Sequence, residues 1–165
     1  MLSNIEAKLS ILKQISREAG KILLSYYDSP TGVETKLDNT LVSDADKASS
    51  TFITKELMKH FPKIPIVDEE GISKGYDNNS RYCWIIDPLD GTKEFLAQRQ
   101  DFGILIGLVE NGIPVLGITF RPLANELDWA IKDKGAFIED AQGTRKISIL
   151  DSNEITVLVS GSRSD

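Results

Sequence analysis

Apolar residues at Ile5, Leu9, Leu12, Ile15, Ala19, Ile22, Leu23 and Tyr26 recur mostly at steps of three and four, the spacing of one buried face on a long helix. Ser3 with Glu6 supplies a capping box at its start, and Asp28, Ser29 and Pro30 end it. A second helix is predicted over residues 45–60, with Ala48, Phe52, Ile53 and Leu57 on its apolar face and Pro62 stopping it. Beyond Pro62 the period changes to two. Residues 64–67 read as a short strand, 71–80 as a polar loop, and Tyr82, Trp84 and Ile86 alternate with Cys83 and Ile85 in a strand ending at Asp87. Strands over 102–109 and 113–120 flank Asn111-Gly112, a strong hairpin signal, and strands over 127–131 and 136–138 face each other across 132–135. Trp84, Trp129 and Pro114 are read as sheet packing. Two helices before an antiparallel meander predict an α+β fold, the helices layered on a mainly antiparallel sheet.

Residues 140–153 are polar and turn-rich, whereas 155–159 form a new apolar strand. An apolar strand needs a partner to cover it. The expected organisation is therefore one α+β domain over 1–150, with 151–165 as the first strand of a C-terminal domain that the 165 residues do not contain.

Nineteen Lys and Arg against 25 Asp and Glu give a net charge of −6, which argues against binding a nucleic-acid polymer by charge. The N-terminal residues are charged at helical spacing and hold neither a signal-peptide core nor a membrane span, so a cytoplasmic location is expected. The single cysteine, Cys83, lies in an apolar run and reads as a small core residue rather than a nucleophile. The single histidine, His60, closes a helix and has no Ser or Cys in a nucleophile turn to serve. Chemistry here has to run on carboxylates, hydroxyls and metals.

The densest chemical signal is Asp87-Pro88-Leu89-Asp90-Gly91-Thr92, at the junction of an apolar strand and a short helical pattern over 93–97. Pro88 fixes one backbone angle and Gly91 permits an unusual one, so both carboxylates can turn toward a common point. Two such charges about 4 Å apart repel by roughly 4 kcal/mol at an effective dielectric near 20, so a cation belongs between them. Glu69 and Glu70 also follow a strand end and can bring a third carboxylate to the same rim. Hard oxygen donors suit Mg²⁺ or Mn²⁺ and disfavour zinc. The backbone N–H groups of Gly91 and Thr92 offer a seat for a phosphate oxygen, and a metal cluster beside an anion seat suggests phosphoryl chemistry. Ser43 and Asp46 at the head of the second helix form a capping box by spacing.

The run Asp87 to Thr92, continued by Lys93-Glu94-Phe95, with Glu69-Glu70 and Leu41-Val42-Ser43-Asp44-Ala45-Asp46 upstream, resembles the inositol monophosphatase superfamily. The lead-in Trp84-Ile85-Ile86 and the terminal Ser162-Arg163-Ser164 are similar to its CysQ-type 3′(2′),5′-bisphosphate nucleotidase branch. The resemblance implies the N-terminal domain of that fold. It implies that Glu69, Asp87, Asp90 and the Leu89 carbonyl ligate Mg²⁺, two or three ions in all, with Mn²⁺ an alternative. Glu69, Leu89, Asp90, Gly91 and Thr92 then contact the substrate phosphate, Asp46 and Thr92 orient the attacking water, and Lys36 is associated with a further water or metal position. The implied reaction is hydrolysis of adenosine 3′,5′-bisphosphate to AMP and phosphate. A small phosphate ester is the expected partner, together with a homodimer and peripheral contact at the inner membrane.

Two positions depart from the family pattern: Asp68, where Ser or Gly is usual, and Asp44, where Ala or Thr is usual. Each either shifts metal affinity or faces solvent. The family's last metal-binding aspartate, in a Trp-Asp motif of the C-terminal domain, has no counterpart, so weak or no turnover is expected of the 165 residues alone. An inositol monophosphatase or sugar-bisphosphatase, and a non-catalytic metal-binding half-domain, are the alternative readings.

Overall fold

The computed structural model describes residues 5–35, 41–70, 75 and 80–149. Helix α1 (Ile5–Tyr27) leads through a two-residue antiparallel pair, β1 (Glu34–Thr35) and β2 (Leu41–Val42), to helix α2 (Asp44–His60). Then follow β3 (Ile66–Asp68), β4 (Tyr82–Asp90), the short α3 (Thr92–Leu96), β5 (Gly103–Glu110), β6 (Ile113–Arg121), β7 (Glu126–Ile131), β8 (Gly135–Asp140) and β9 (Gly143–Ile147). Strands β3 to β9 form a seven-stranded sheet in sequence order. Every neighbouring pair is antiparallel except β3 and β4, which run parallel. The α+β reading holds.

Helices α1 and α2 pack on each other and on one face of the sheet. Leu12, Leu23, Ile53 and Leu57 from the helices meet Trp84, Ile86, Ile104, Ile106, Leu108 and Ile118 from the strands, all essentially buried. Burying each such side chain contributes about 1.5–3 kcal/mol, which makes this layer the main source of stability. Gly20 brings α1 close to β6, since a Cβ there would stand 2.5 Å from the Phe120 ring. At the far edge Lys13 lies 3.4 Å over the Trp129 ring and pairs with Glu139 at 2.7 Å, joining α1 to β8. Among the described residues no helix is long and apolar enough to cross a membrane.

Several expectations need correction. The first strand of the sheet is Ile66–Asp68 rather than 64–67, because its register follows β4. Strand β4 continues past Asp87 to Asp90, since Pro88 falls where the ladder breaks register and its missing N–H is not required. Residues 143–147, read as turn, are strand β9, whose exposed residues carry no apolar alternation. The buried face of α2 is Ala45, Asp46, Ser49, Ser50, Ile53, Thr54 and Leu57, leaving Ala48 and Phe52 half-buried at its flank. Trp84 and Trp129 are core residues, but Pro114 is exposed beside the irregularity between β5 and β6. Cys83 is buried as expected, and burial pushes its thiol pKa up. The Ser3 cap, most of the 71–80 loop, Lys36, the 155–159 strand, the boundary at 150 and Ser162 to Ser164 lie outside the described residues.

Candidate metal centre

The parallel pairing of β3 with β4 places Asp68 opposite Ile86. The chain keeps that course for one more residue, the Glu69 N–H donating to the Ile86 carbonyl at 3.2 Å, so Glu69 leaves the sheet beside Asp87. After Asp87 the ladder to β5 shifts register before resuming at Asp90 opposite Gly103. Such a break bends a strand and re-aims its side chains. Within it, Asp87 Oδ1 accepts the Leu89 N–H at 3.1 Å, and Pro88 and Leu89 are buried. Gly91 turns the chain into α3 with φ +84, and a Cβ there would stand 2.6 Å from the Asp101 carbonyl oxygen. Only glycine meets both conditions.

Thr92 opens α3. Its Oγ1 lies 3.1 Å from Asp46 Oδ1 and 3.2 Å from the Leu89 carbonyl oxygen. Asp46 is 1% exposed. Its Oδ2 accepts both the Ser43 N–H at 2.8 Å and the Ser43 hydroxyl at 2.5 Å, so one carboxylate closes the capping box of α2 and meets Thr92. The same helix supplies Ser49, whose hydroxyl donates to the Pro88 carbonyl at 2.9 Å.

Burial pushes the Asp87 carboxyl up to about 8, with the Glu69 charge, a hydrogen bond to the Glu69 side chain and the Asp90 charge adding to it. Asp90 is raised as well, first by burial, then by the charges of Glu69 and Glu94. Like charges that share a site raise one another. The rim thus concentrates negative charge that a cation would relieve.

The other two acidic departures lie elsewhere. Asp44 accepts the Thr31 hydroxyl at 2.9 Å and donates its N–H to the Thr31 carbonyl at 3.0 Å, tying down the loop before α2. Asp68 is neither at the rim nor in solvent: it is 4% exposed, accepts the Glu70 N–H at 2.9 Å on Oδ1 and takes the Ser50 hydroxyl on Oδ2.

The model of the inositol monophosphatase family matches residues 5–165. The chain belongs to the inositol monophosphatase family. A curated relative in the family, the 3′(2′),5′-bisphosphate nucleotidase CysQ of Haemophilus influenzae, is 34% identical over 150 residues, which is 90% of this chain and 56% of the relative. The solved inositol monophosphatase of Anabaena matches with a TM-score of 0.74 at 32% identity, covering 92% of this chain and 52% of its own. A solved inositol monophosphatase/NADP phosphatase complexed with Mg²⁺ and phosphate matches with a TM-score of 0.67 at 28% identity, covering 83% and 51%. The chain thus spans little more than half the length of these family members.

The donors present at the rim fit a hard divalent ion: carboxylates of Glu69, Asp87 and Asp90 and the carbonyl of Leu89. Asp87 and Glu69 share a side-chain hydrogen bond, and the Glu69 charge reaches Asp90. Among the described residues no three acidic, His or Cys side chains are drawn close enough to hold an ion. Glu69 and Asp90 are exposed at the rim, and Asp87 is half-buried. Ser49, Ser50 and the burial of Asp68 were not foreseen. The only signal for the serines was two hydroxyls at i+3 and i+4 from Asp46 on one helix face.

Proposed function

We propose that the protein serves as a Mg²⁺-dependent phosphomonoesterase that hydrolyses adenosine 3′,5′-bisphosphate to AMP and phosphate. The observation that carries this reading is the convergence of Glu69, Asp87 and Asp90 at one rim, beside the Asp46–Thr92 pair. The similarity to nucleotidases named CysQ supports the choice of substrate. Glu69, Asp87, Asp90 and the Leu89 carbonyl would hold the metal, and a Mg²⁺ bound there would supply charge for the phosphate oxygens and a lowered pKa for the attacking water.

The remaining steps fall to the chain's own groups. The Thr92 hydroxyl has one proton and two acceptors in reach, Leu89 O and Asp46 Oδ1. Donated to Asp46 Oδ1, that proton leaves the Thr92 lone pairs to accept from water. Asp46 is held from behind by Ser43 and keeps its aim. The pair orients a water for in-line attack, and no covalent intermediate is required. Glu69, Leu89, Asp90, Gly91 and Thr92 flank the phosphate. A cytoplasmic location, a homodimer and peripheral contact at the inner membrane accompany the reading.

The readouts are the Mg²⁺ dependence of phosphate release and the ratio between substrates. Phosphate release is measured from adenosine 3′,5′-bisphosphate, an inositol monophosphate and a sugar bisphosphate, with wild type and Asp87→Asn. Mg²⁺-dependent release favouring the nucleotide and lost in Asp87→Asn supports the proposal. Preference for the inositol ester replaces the nucleotidase reading with an inositol monophosphatase. Mg²⁺ binding without release from any ester points to a non-catalytic metal-binding unit.

A further inference from the structure

Helix α2 makes polar contacts with every segment that builds the rim. Asp46, Ser49 and Ser50 share one helix face and are 1%, 0% and 0% exposed. Asp46 reaches Thr92, Ser49 reaches the Pro88 carbonyl, and Ser50 reaches Asp68, whose other oxygen holds the Glu70 N–H. Serine is a poor helix interior residue, and inside a helix its hydroxyl usually turns back to the carbonyl four residues earlier. Ser16 in α1 does this with Leu12 at 3.1 Å, and Thr51 in α2 does it with Lys47 at 2.8 Å. Ser49 and Ser50 instead direct their hydroxyls across the layer. Asp68 is likewise a costly residue to bury, and its two oxygens are both committed to this connection.

We propose that Ser50 and Asp68, assisted by Ser49, are positioning residues that lock α2 to the two acidic turns and set the spacing of Glu69 relative to Asp87 and Asp90. Ser49 fixes the 87–90 turn through Pro88, and the Ser50–Asp68 pair fixes the 69–70 turn through the Glu70 amide. Both anchors sit one residue from a ligand-bearing position, on a single rigid helix, so the rim geometry is prepared in advance of the ion. This inference rests on the reading of the rim as a metal site.

The test titrates this chain with Mn²⁺ by electron paramagnetic resonance and follows hydrogen exchange at the Glu70 amide. Variants are Ser50→Ala, Asp68→Ala and Asp68→Asn, with Asp87→Asn as the control for the site. Partners that orient metal ligands are typically worth about 10–100-fold in affinity, so Ser50→Ala and Asp68→Ala are expected to weaken Mn²⁺ by about tenfold or more and to speed exchange at Glu70. Asp68→Asn keeps an acceptor for the Glu70 N–H and can donate to Ser50, so it is expected to stay within about threefold of wild type. Wild-type affinity in both Ser50→Ala and Asp68→Ala, while Asp87→Asn loses binding, overturns the positioning role and spares the metal site. No Mn²⁺ binding by wild type, or undiminished binding by Asp87→Asn, overturns the metal reading and this inference with it. Should Asp68→Ala fail to fold, Ser50→Ala, which removes a single hydroxyl, decides the matter.

Discussion

Gly91→Ala tests the geometry of the acidic turn without touching a charge. Gly91 has φ +84 and the nearest atom to a Cβ is the Asp101 carbonyl oxygen at 2.6 Å, whereas Gly112 has φ +80 and nothing within 4 Å. Placing alanine in the left-handed region costs about 1–2 kcal/mol, offset by about 0.4–1 kcal/mol from the stiffer unfolded chain. Gly112→Ala is therefore expected to lose about 0–1.6 kcal/mol. Gly91→Ala carries the same net backbone cost plus an overlap with main chain that cannot rotate away, an overpacking of about 1–3 kcal/mol, for a total of about 1–4.6 kcal/mol. Relief would have to move residues 101–102, which lead directly into Gly103, the partner of Asp90. Urea unfolding followed through the buried Trp84 and Trp129 gives both values. Equal losses for the two variants, within about 0.5 kcal/mol, would refute the close approach of the turn to β5.

Asp46→Asn is expected to leave stability within about 1 kcal/mol, since the amide can still accept the Ser43 N–H, yet to slow phosphate release about 100-fold or more; parallel unfolding and turnover assays check the split. Ser49→Ala strands the buried Pro88 carbonyl and is expected to cost about 1–3 kcal/mol in denaturant unfolding. Lys13 and Arg17 hold the Glu139 carboxyl below the usual carboxylate range, Lys13 more strongly. Its contribution is therefore present above the unfolded pKa of about 4.3 and fades as pH falls through the lower folded value. Glu139→Gln is expected to flatten the loss of stability between about pH 5 and 3 by less than about 1 kcal/mol, because the three side chains are partly exposed; unfolding midpoints along a pH series report it.

The parts of the fold that bury hydrocarbon were legible in the sequence, and the parts held by polar contacts were not. Helix α1 declares itself because Leu12, Ile15, Ala19 and Leu23 all face the sheet. The hairpin at Asn111-Gly112 declares itself because both residues take positive φ, 49 and 80, which that turn demands. Helix α2 was found, but its face was misjudged: apolar periodicity weights Ala48 and Phe52, while the residues that turn inward include Asp46, Ser49, Ser50 and Thr54. Strand β9 pairs with β8 through the main-chain ladder and the polar contacts of Thr144 with Glu139 and Arg145 with Asp140, and its Gly-Thr-Arg-Lys-Ile sequence is exposed throughout. Gly143, at φ +98, was the one local hint of the hairpin that brings it back.

The same division explains the site. The run from Asp87 to Thr92 is contiguous, so its residue types are visible in one reading, and Pro88 and Gly91 announce a bend. What brings Glu69 to that bend is a long-range fact, the parallel register of Asp68 with Ile86, which no local pattern encodes. The departure at Asp68 acquires its meaning only from Ser50, eighteen positions earlier and on a different element. A carboxylate buried beside an acidic pair is costly unless its oxygens are engaged, and those of Asp68 accept a helix hydroxyl and a backbone amide. Asp68 and Ser50 thus form one unit, and truncating either alone to alanine leaves a buried polar group without its partner.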